Sequence, residues 1–275
     1  MVNYAFVLLP LYIYPNPLSS WDPLVTAAKA YPSVPFNVVI NPENGPRGAC
    51  PDYSPDTYYR DAIAELNALP NVSLLGYVHT ATSSTCGTSG TDICVCSQTQ
   101  AALQKNITLY QNWPTNNCST NNVKDIHVDG IFIDEAPGAN GSCVAYMQNI
   151  TTFAKKTLTR GNTVLFNAGT AVNESYWAIP DYINVFENTE AAYDTANIGA
   201  LDGNGAHARK TTMLIYSHTT NSTIVKRDVQ TIQRIQQDAI AGLYISDLNT
   251  YTKFPTNFTG FVAEVAAVVA SNNAS

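Results

Sequence analysis

The sequence predicts a single (β/α)8 barrel spanning residues 1–275. Three observations predict it. Short apolar, β-branched runs alternate with longer helix-like stretches along the whole chain; there are eight of each; and no linker, low-complexity tract or heptad interrupts them. A chain of 275 residues with 45% hydrophobic content supplies a core of that size. A doubly wound open sheet is the competing architecture. It usually has fewer strands and a glycine-rich phosphate loop, and no Gly-X-Gly-X-X-Gly occurs in the chain.

The elements follow in order. Residues 6–14 read as the first strand, stopped by Tyr14-Pro15-Asn16-Pro17. The apolar opening, residues 2–13, is too short to span a membrane and lacks a basic leader, so any signal peptide is expected to have been removed already. Strands then fall at 36–40, 72–79, 130–134, 164–167, 183–187, 213–216 and 243–246. Helical stretches fall near 19–30, 55–69, 98–111, 143–158, 174–179, 189–199 and 223–238, with a last one near 258–270. Right-handed crossovers close such a series into a barrel.

In a barrel all strand exits share one face. Here they carry Tyr12 and Tyr14, Asn41, Tyr77 and His79, Asp134 and Glu135, Asn167, Glu187, Tyr216 and His218, and Ser246 and Asp247. Two exits stand out. The buried-strand run Gly130-Ile131-Phe132-Ile133 stops at adjacent acids, Asp134-Glu135, and Tyr182-Ile183-Asn184-Val185-Phe186 stops at Glu187. Such acids can simply cap the following helices. A doublet plus a third acid at one mouth points instead to paired-carboxylate chemistry of the kind that cleaves glycosidic bonds. Amides and tyrosines around them suit sugar hydroxyls and the apolar faces of sugar rings. Tyr12, Asn41, Tyr77, His79, Asn167, Tyr216 and His218 are the candidate substrate-binding residues. The bland alternatives are tyrosines filling the barrel top and histidines held by hydrogen bonds.

Only 13% of residues are charged, well below the usual quarter. Nine Asn-X-Ser/Thr sequons occur, at Asn71, Asn106, Asn117, Asn140, Asn149, Asn173, Asn221, Asn257 and Asn273. Together they indicate a glycosylated, secreted product. Six cysteines, Cys50, Cys86, Cys94, Cys96, Cys118 and Cys143, agree through disulfides whose pairing the sequence leaves open. Cys94-Val95-Cys96 is too tight for a zinc knuckle, so no metal or other cofactor is expected. The segment 81–98, with three of the cysteines, should lie over the mouth as a stapled loop or a groove wall. A net charge of −7 argues against nucleic acid or an anionic membrane as partner. No membrane span is read, and the chain is expected to be a monomer.

Several stretches resemble one family. Pro10-Leu11-Tyr12-Ile13-Tyr14-Pro15, Asn41-Pro42 with Gly45-Pro46, Gly76-Tyr77-Val78-His79-Thr80, Asp129 to Pro137, Asn167 with Gly169-Thr170, and Val185-Phe186-Glu187 are similar, in order, to the spherulin-4-like proteins of fungi and slime moulds, classed as glycoside hydrolase family 135. The resemblance implies a (β/α)8 fold. It also implies endo-hydrolysis of galactosaminogalactan, an α-1,4-linked polymer of galactose and N-acetylgalactosamine in fungal walls and biofilm. Asp134, Glu135 and Glu187 fall on the family's acidic positions. Ala168 replaces an expected proline and Arg47 interrupts an expected Gly-Pro-Gly, which leaves the groove shape open.

Successive strand residues face opposite ways, so Asp134 and Glu135 cannot both point to the barrel axis. Asp134 is assigned as nucleophile, Glu187 as general acid/base, and Glu135 as a holder of a hydroxyl or tuner of its neighbour. Substrate assistance is disfavoured, because the acetamido group of an α-linked N-acetylgalactosamine is cis to the leaving group. A non-catalytic carbohydrate-binding wall or spore-coat protein on the same barrel is the alternative. A polysaccharide deacetylase would want a metal, and the four histidines show no paired-ligand spacing.

Overall fold

The computed structural model describes residues 5–47, 57–82, 94–115, 124–233 and 239–274. Eight parallel strands close a barrel in sequential order. They are β1 (Phe6–Leu11), β2 (Phe36–Ile40), β3 (Val72–His79), β4 (Gly130–Asp134), β5 (Thr163–Asn167), β6 (Tyr182–Thr189), β7 (Thr211–Tyr216) and β8 (Gly242–Ile245). Closure runs through Phe6 opposite Gly242. The helices are α1 (Asp22–Ala30), α2 (Tyr58–Asn67), α3 (Gln100–Asn112), α4 (Val144–Thr157), α5 (Glu190–Thr195), α6 (Ile198–Leu201), α7 (Ser222–Gln233) and α8 (Phe258–Ala274). No helix among the described residues is long and apolar enough to cross a membrane.

The strands read as near-continuous apolar runs because both faces are covered, by helices outside and by side chains inside. β1 stops at Leu11, three residues short of the expected strand. Its ladder ends where β2 ends, at Leu11 opposite Ile40, and the next amide, Tyr12, donates instead to Tyr251 O at 3.2 Å. The expected helix at 174–179 is one 3-10 turn, Glu174–Tyr176, started by the Asn173 cap. The expected helix at 189–199 is two short ones, α5 and α6, broken at Ala196, whose backbone is extended. Residues 55–56 and 234–238 of the expected second and seventh helices lie outside the described residues.

Gly76 is a packing requirement. A Cβ there would meet the Tyr110 ring at 2.8 Å. That close approach lets α3 bring the Tyr110 hydroxyl to Tyr77 O at 3.0 Å, locking the strand that carries Tyr77 and His79. One sequon is structural. The Asn71 amide donates to Ala28 O, Tyr31 O and Val34 O at 3.0–3.2 Å, so it pins the end of α1, and a glycan on that nitrogen would break the lock. Asn117 lies outside the described residues.

Candidate active site

Asp134 closes β4 and sits opposite His79 in the β3–β4 register. Its Oδ2 accepts from the Tyr77 hydroxyl at 2.8 Å; its Oδ1 accepts from Asn167 Nδ2 at 2.7 Å and from the Glu135 amide at 2.8 Å. That last bond exists because Glu135 turns into the left-handed region, φ 53. Such a conformation costs a non-glycine residue on the order of 1 kcal/mol or more, and it re-aims the chain at the strand end.

Glu187 reaches the same place by a different device. Strand alternation would put Asn184 and Phe186 on one face. The register of β6 against β7 shifts between Asn184 and Phe186, a β-bulge. Asn184 O there takes the amides of both Ala168 and Gly169, at 3.2 and 3.0 Å. The extra residue returns Glu187 to the face Asn184 occupies, because both bond Asn167. Gly169, at φ +64, permits the approach; a Cβ there would meet Glu187 Cβ at 3.4 Å.

A polar stem links the acids. Within the barrel, the Thr212 hydroxyl donates to Asn184 Oδ1 at 3.3 Å and Asn184 Nδ2 donates to Asn167 Oδ1 at 2.7 Å. Asn167 Nδ2 then spends its two protons on Asp134 Oδ1 and Glu187 Oε2, each at 2.7 Å. Those two carboxylate oxygens are therefore no farther apart than twice that length. The other Glu187 oxygen, Oε1, accepts from the Tyr251 hydroxyl at 2.7 Å. Tyr12 meets Tyr77 and Tyr251 edge-on, centroids 5.8 Å apart in both cases, so three tyrosines span from one acid to the other.

Burial holds the Glu187 carboxyl above its usual range; the Asn167 and Tyr251 donors pull it back down and the Asp134 charge adds to the rise. The hydroxyls of Tyr12, Tyr77 and Tyr251 are pushed up, in each case first by burial and then by the nearby acids, so they stay donors.

Glu135 faces elsewhere. Its Oε2 accepts from the Ala81 amide at 3.1 Å and lies 3.3 Å from His79 Nδ1. His79 Nε2 sits 3.1 Å from Asn44 Nδ2, which can only donate, so Nδ1 carries the proton directed at Glu135. Asn41 holds its own loop, its Oδ1 accepting from the Gly45 amide at 2.8 Å. Tyr216 ends β7, half-buried beside Tyr251.

His218 does not join the mouth. Ser217 turns left-handed at φ 50, so strand alternation fails before His218, whose side chain has no exposed surface. Its Nε2 lies 2.9 Å from Asp228 Oδ2 on α7 and 3.8 Å from Glu190 Oε1, while Nδ1 meets Thr219 O at 2.9 Å. The ligand atoms of Glu190, His218 and Asp228 lie within 4.8 Å of one another, the spacing of a metal-capable cluster. Arg227, however, already forks both Asp228 oxygens, at 2.6 and 3.0 Å, which satisfies the group as an ion-pair network. The expectation that His218 binds substrate is therefore corrected: it is a buried structural residue. Strand-exit reasoning also missed three residues. Tyr251 lies in the loop after β8 and carries no strand-exit signal. Asn184 and Thr212 did give a signal, as polar residues inside apolar strand runs.

Among the cysteines, Cys94 is disulfide-bonded, whereas Cys96 and Cys143 stand as thiols. Cys50, Cys86 and Cys118, with most of the segment 81–98, lie outside the described residues.

The model of spherulation-specific family 4 matches residues 6–265. Spherulin-4 of Physarum polycephalum is 30% identical over 183 residues, 66% of this chain, and the chain spans 44% of that relative's length. Aspergillus clavatus Sph3, solved in complex with GalNAc, superposes with a TM-score of 0.78 at 27% identity, over 96% of this chain and 98% of that one. The endo-1,4-beta-mannanase of Rhizomucor miehei superposes with a TM-score of 0.55 at 10% identity, over 98% and 95%, a likeness of fold alone.

Proposed function

The chain belongs to spherulation-specific family 4, and from that premise and the geometry of its mouth we propose that it is a secreted, monomeric, endo-acting glycoside hydrolase. Its substrate is the α-1,4-linked N-acetylgalactosamine of galactosaminogalactan. One observation carries the hydrolase reading: a single amide nitrogen, Asn167 Nδ2, holds one oxygen of Asp134 and one of Glu187 at 2.7 Å each. Retaining glycosidases place their two carboxyl groups about 5–5.5 Å apart, and inverting ones about 6.5–9.5 Å. A shared hydrogen-bond donor favours the closer spacing.

The hydrogen bonds divide the roles. Asp134 accepts three donors, which fix its orientation, and Oδ1 takes two of them. Oδ2, with one donor, is the oxygen left to attack the anomeric carbon. Glu187 is the acid held toward its protonated form by burial. Each of its oxygens accepts one donor, Oε2 from Asn167 and Oε1 from Tyr251, and the transferable proton takes one of the lone pairs that these bonds leave. As the Asp134–sugar bond forms, the bond to the glycosidic oxygen breaks and the Glu187 proton passes to that oxygen. Glu187 then takes a proton from water as the water displaces Asp134. The GalNAc bound by Sph3, at 27% identity, supports the sugar class. Low charge and the sequons other than Asn71 support secretion.

The test is incubation with purified galactosaminogalactan, with products read by mass spectrometry and the anomer of the first product by NMR. Oligosaccharides with a retained anomeric configuration are expected. Binding without cleavage across pH 4–8 would replace the hydrolase with a carbohydrate-binding wall protein.

A further inference from the structure

Cys96 and Cys143 come from separate loops. Cys96 follows the bonded Cys94 in the segment after β3, and Cys143 is the residue from which α4 starts. The structure makes their side chains neighbours, close enough for each sulfur to act on the other. Both side chains pack half-buried against the core, and the phenols of Tyr146 and Tyr176 each feel both sulfurs. Neighbouring hydrogen bonds already fix the two backbones. The Cys96 amide donates to Thr80 Oγ1 at 3.1 Å, the Cys143 amide to the Tyr176 hydroxyl at 3.3 Å, and the Tyr146 hydroxyl to Gln98 O at 2.8 Å. Two neighbouring thiols on backbones positioned by their own bonds can close to the about 2.0 Å of an S–S bond by side-chain rotation.

We propose that Cys96 and Cys143 form a disulfide in the mature protein, strapping the loop after β3 to the start of α4. Cys94 is already bonded, which leaves Cys96 as the member of the Cys94-Val95-Cys96 pair available to Cys143. The strap acts on a segment joined to the site. Thr80, which receives the Cys96 amide, donates its hydroxyl to Glu135 O, and the Gln98 side chain donates to His79 O at 2.8 Å. Oxidation therefore stiffens the ground on which Glu135 and His79 stand. The step needs a disulfide oxidant. One thiolate attacks the oxidant's S–S bond and forms a mixed disulfide; the second thiolate displaces the oxidant's other half. Two protons are lost and the oxidant leaves as two thiols. The inference borrows from the secretory reading only this oxidant.

The experiment supplies the oxidant directly. Full-length protein is incubated with oxidised glutathione, unfolded without reductant, alkylated and digested. Fragmentation that cuts the backbone between Cys94 and Cys96 then assigns each link. A cross-linked peptide joining Cys96 to Cys143 is expected. Cys143 recovered as an alkylated thiol, or joined to any other cysteine, overturns the proposal. Cys143→Ser should expose one new alkylatable thiol, at Cys96, and lower the Tm of the oxidised protein by about 5–15 °C. Cys96→Ser/Cys143→Ser should lower it equally; a clearly larger fall in the double variant would mean that the two cysteines act separately, against the proposal. No readout depends on sugar cleavage, so failure here is distinct from failure of the hydrolase reading.

Discussion

Strands β4 and β6 each carry an acid at both ends, and the two ends treat them differently. At the bottom, Asp129 precedes β4 and Asp181 precedes β6. Each accepts one backbone amide, from Leu74 and Val164 at 2.8 Å, and each has a basic side chain beside it, His127 at 3.2 Å and Lys155 at 2.6 Å. At the mouth, Asp134 and Glu187 have no cation within bonding reach among the described residues. Neutral donors hold them: Tyr77, Asn167, Tyr251 and one amide. Basic side chains at the bottom face the acids, and Lys155 ties the start of β6 to α4. Neutral donors at the mouth orient the acids and leave their charges to act on each other, which together with burial raises Glu187. Under the proposed mechanism, an acid kept for structure is paired with a cation and an acid kept for catalysis is aimed by dipoles.

The sharpest way to break this comparison is to neutralise acids at each end. Asp134→Asn and Glu187→Gln keep size and hydrogen-bonding groups but lose the proposed nucleophile and the proposed proton donor. Each should fold, bind polymer and lose a factor of about 10²–10⁴ or more in hydrolysis. Their Tm should hold or rise, because each removes a charge facing another. Asp129→Ala at the bottom should do the reverse. It strands the Leu74 amide and removes the partner of His127 Nε2, costing about 1–3 kcal/mol, while kcat stays near wild type. Paired thermal melts and rate measurements decide. Rates close to wild type in both mouth variants would make those acids structural.

The two ends also differ in pH window. Glu187 has a folded pKa above its unfolded value near 4.5. The folded state then holds the proton longer, so this stability is full below about pH 4.5 and is lost as pH rises through the folded pKa. His127 is raised above 6.5, chiefly by its bond to Asp129, with burial opposing and Asp125 adding to the rise. Its contribution is full below that value and disappears as pH climbs through the higher folded pKa. Tm measured against pH should show two descending steps. Glu187→Gln should erase the acidic one and His127→Asn the near-neutral one. A single step lost in both variants would mean that the two ends are not independent.

Much of this was legible in the chain. Apolar runs ending in acids located β4, β6 and the three carboxylates, because a strand that is buried on both faces and exits into acid has few structural uses for that acid. What escaped notice were departures from strand periodicity. Glu187 reaches the axis through a bulge, Glu135 turns away through a left-handed φ, and His218 leaves the mouth through a left-handed Ser217. The bulge and the Ser217 turn each reverse a facing that alternation alone supplies, whereas Glu135 points away from the axis as alternation expects. Tyr251 was hidden for another reason: it meets Glu187 from a loop 64 positions away in sequence.

Tyr251 therefore gives a finer test. Tyr251→Phe removes a donor that stabilises the Glu187 carboxylate, so the Glu187 pKa should rise further. The high-pH limb of kcat/KM, where the general acid loses its proton, should shift to higher pH. The rate at the optimum should fall about tenfold, the cost of one charge-assisted hydrogen bond at about 1.4 kcal/mol per decade. A tenfold fall with an unmoved limb would mean that Tyr251 contacts substrate rather than tuning Glu187.

The smallest effect belongs to the bottom of β6. Lys155 and Asp181 form a short bridge, but their side chains are 33% and 37% exposed, so water already screens much of the attraction. Exposed pairs of this kind contribute about 0.2–1 kcal/mol. Asp181 also keeps its Val164 amide when the lysine is gone, so it is not stranded. Lys155→Met retains the aliphatic stem on α4 and removes only the charge. A fall of about 1–3 °C in Tm is expected, shrinking in high salt, with hydrolysis unchanged. The same substitution tests whether charge at the bottom is felt at the mouth. Asp181 and Glu187 sit at opposite ends of one strand, and the Debye length is only about 8 Å at physiological salt. If removing Lys155 moved the pH profile of hydrolysis, the field of the bottom acids would reach Glu187 through the barrel. The division between cation-paired and dipole-held acids would then have to be redrawn as one coupled system.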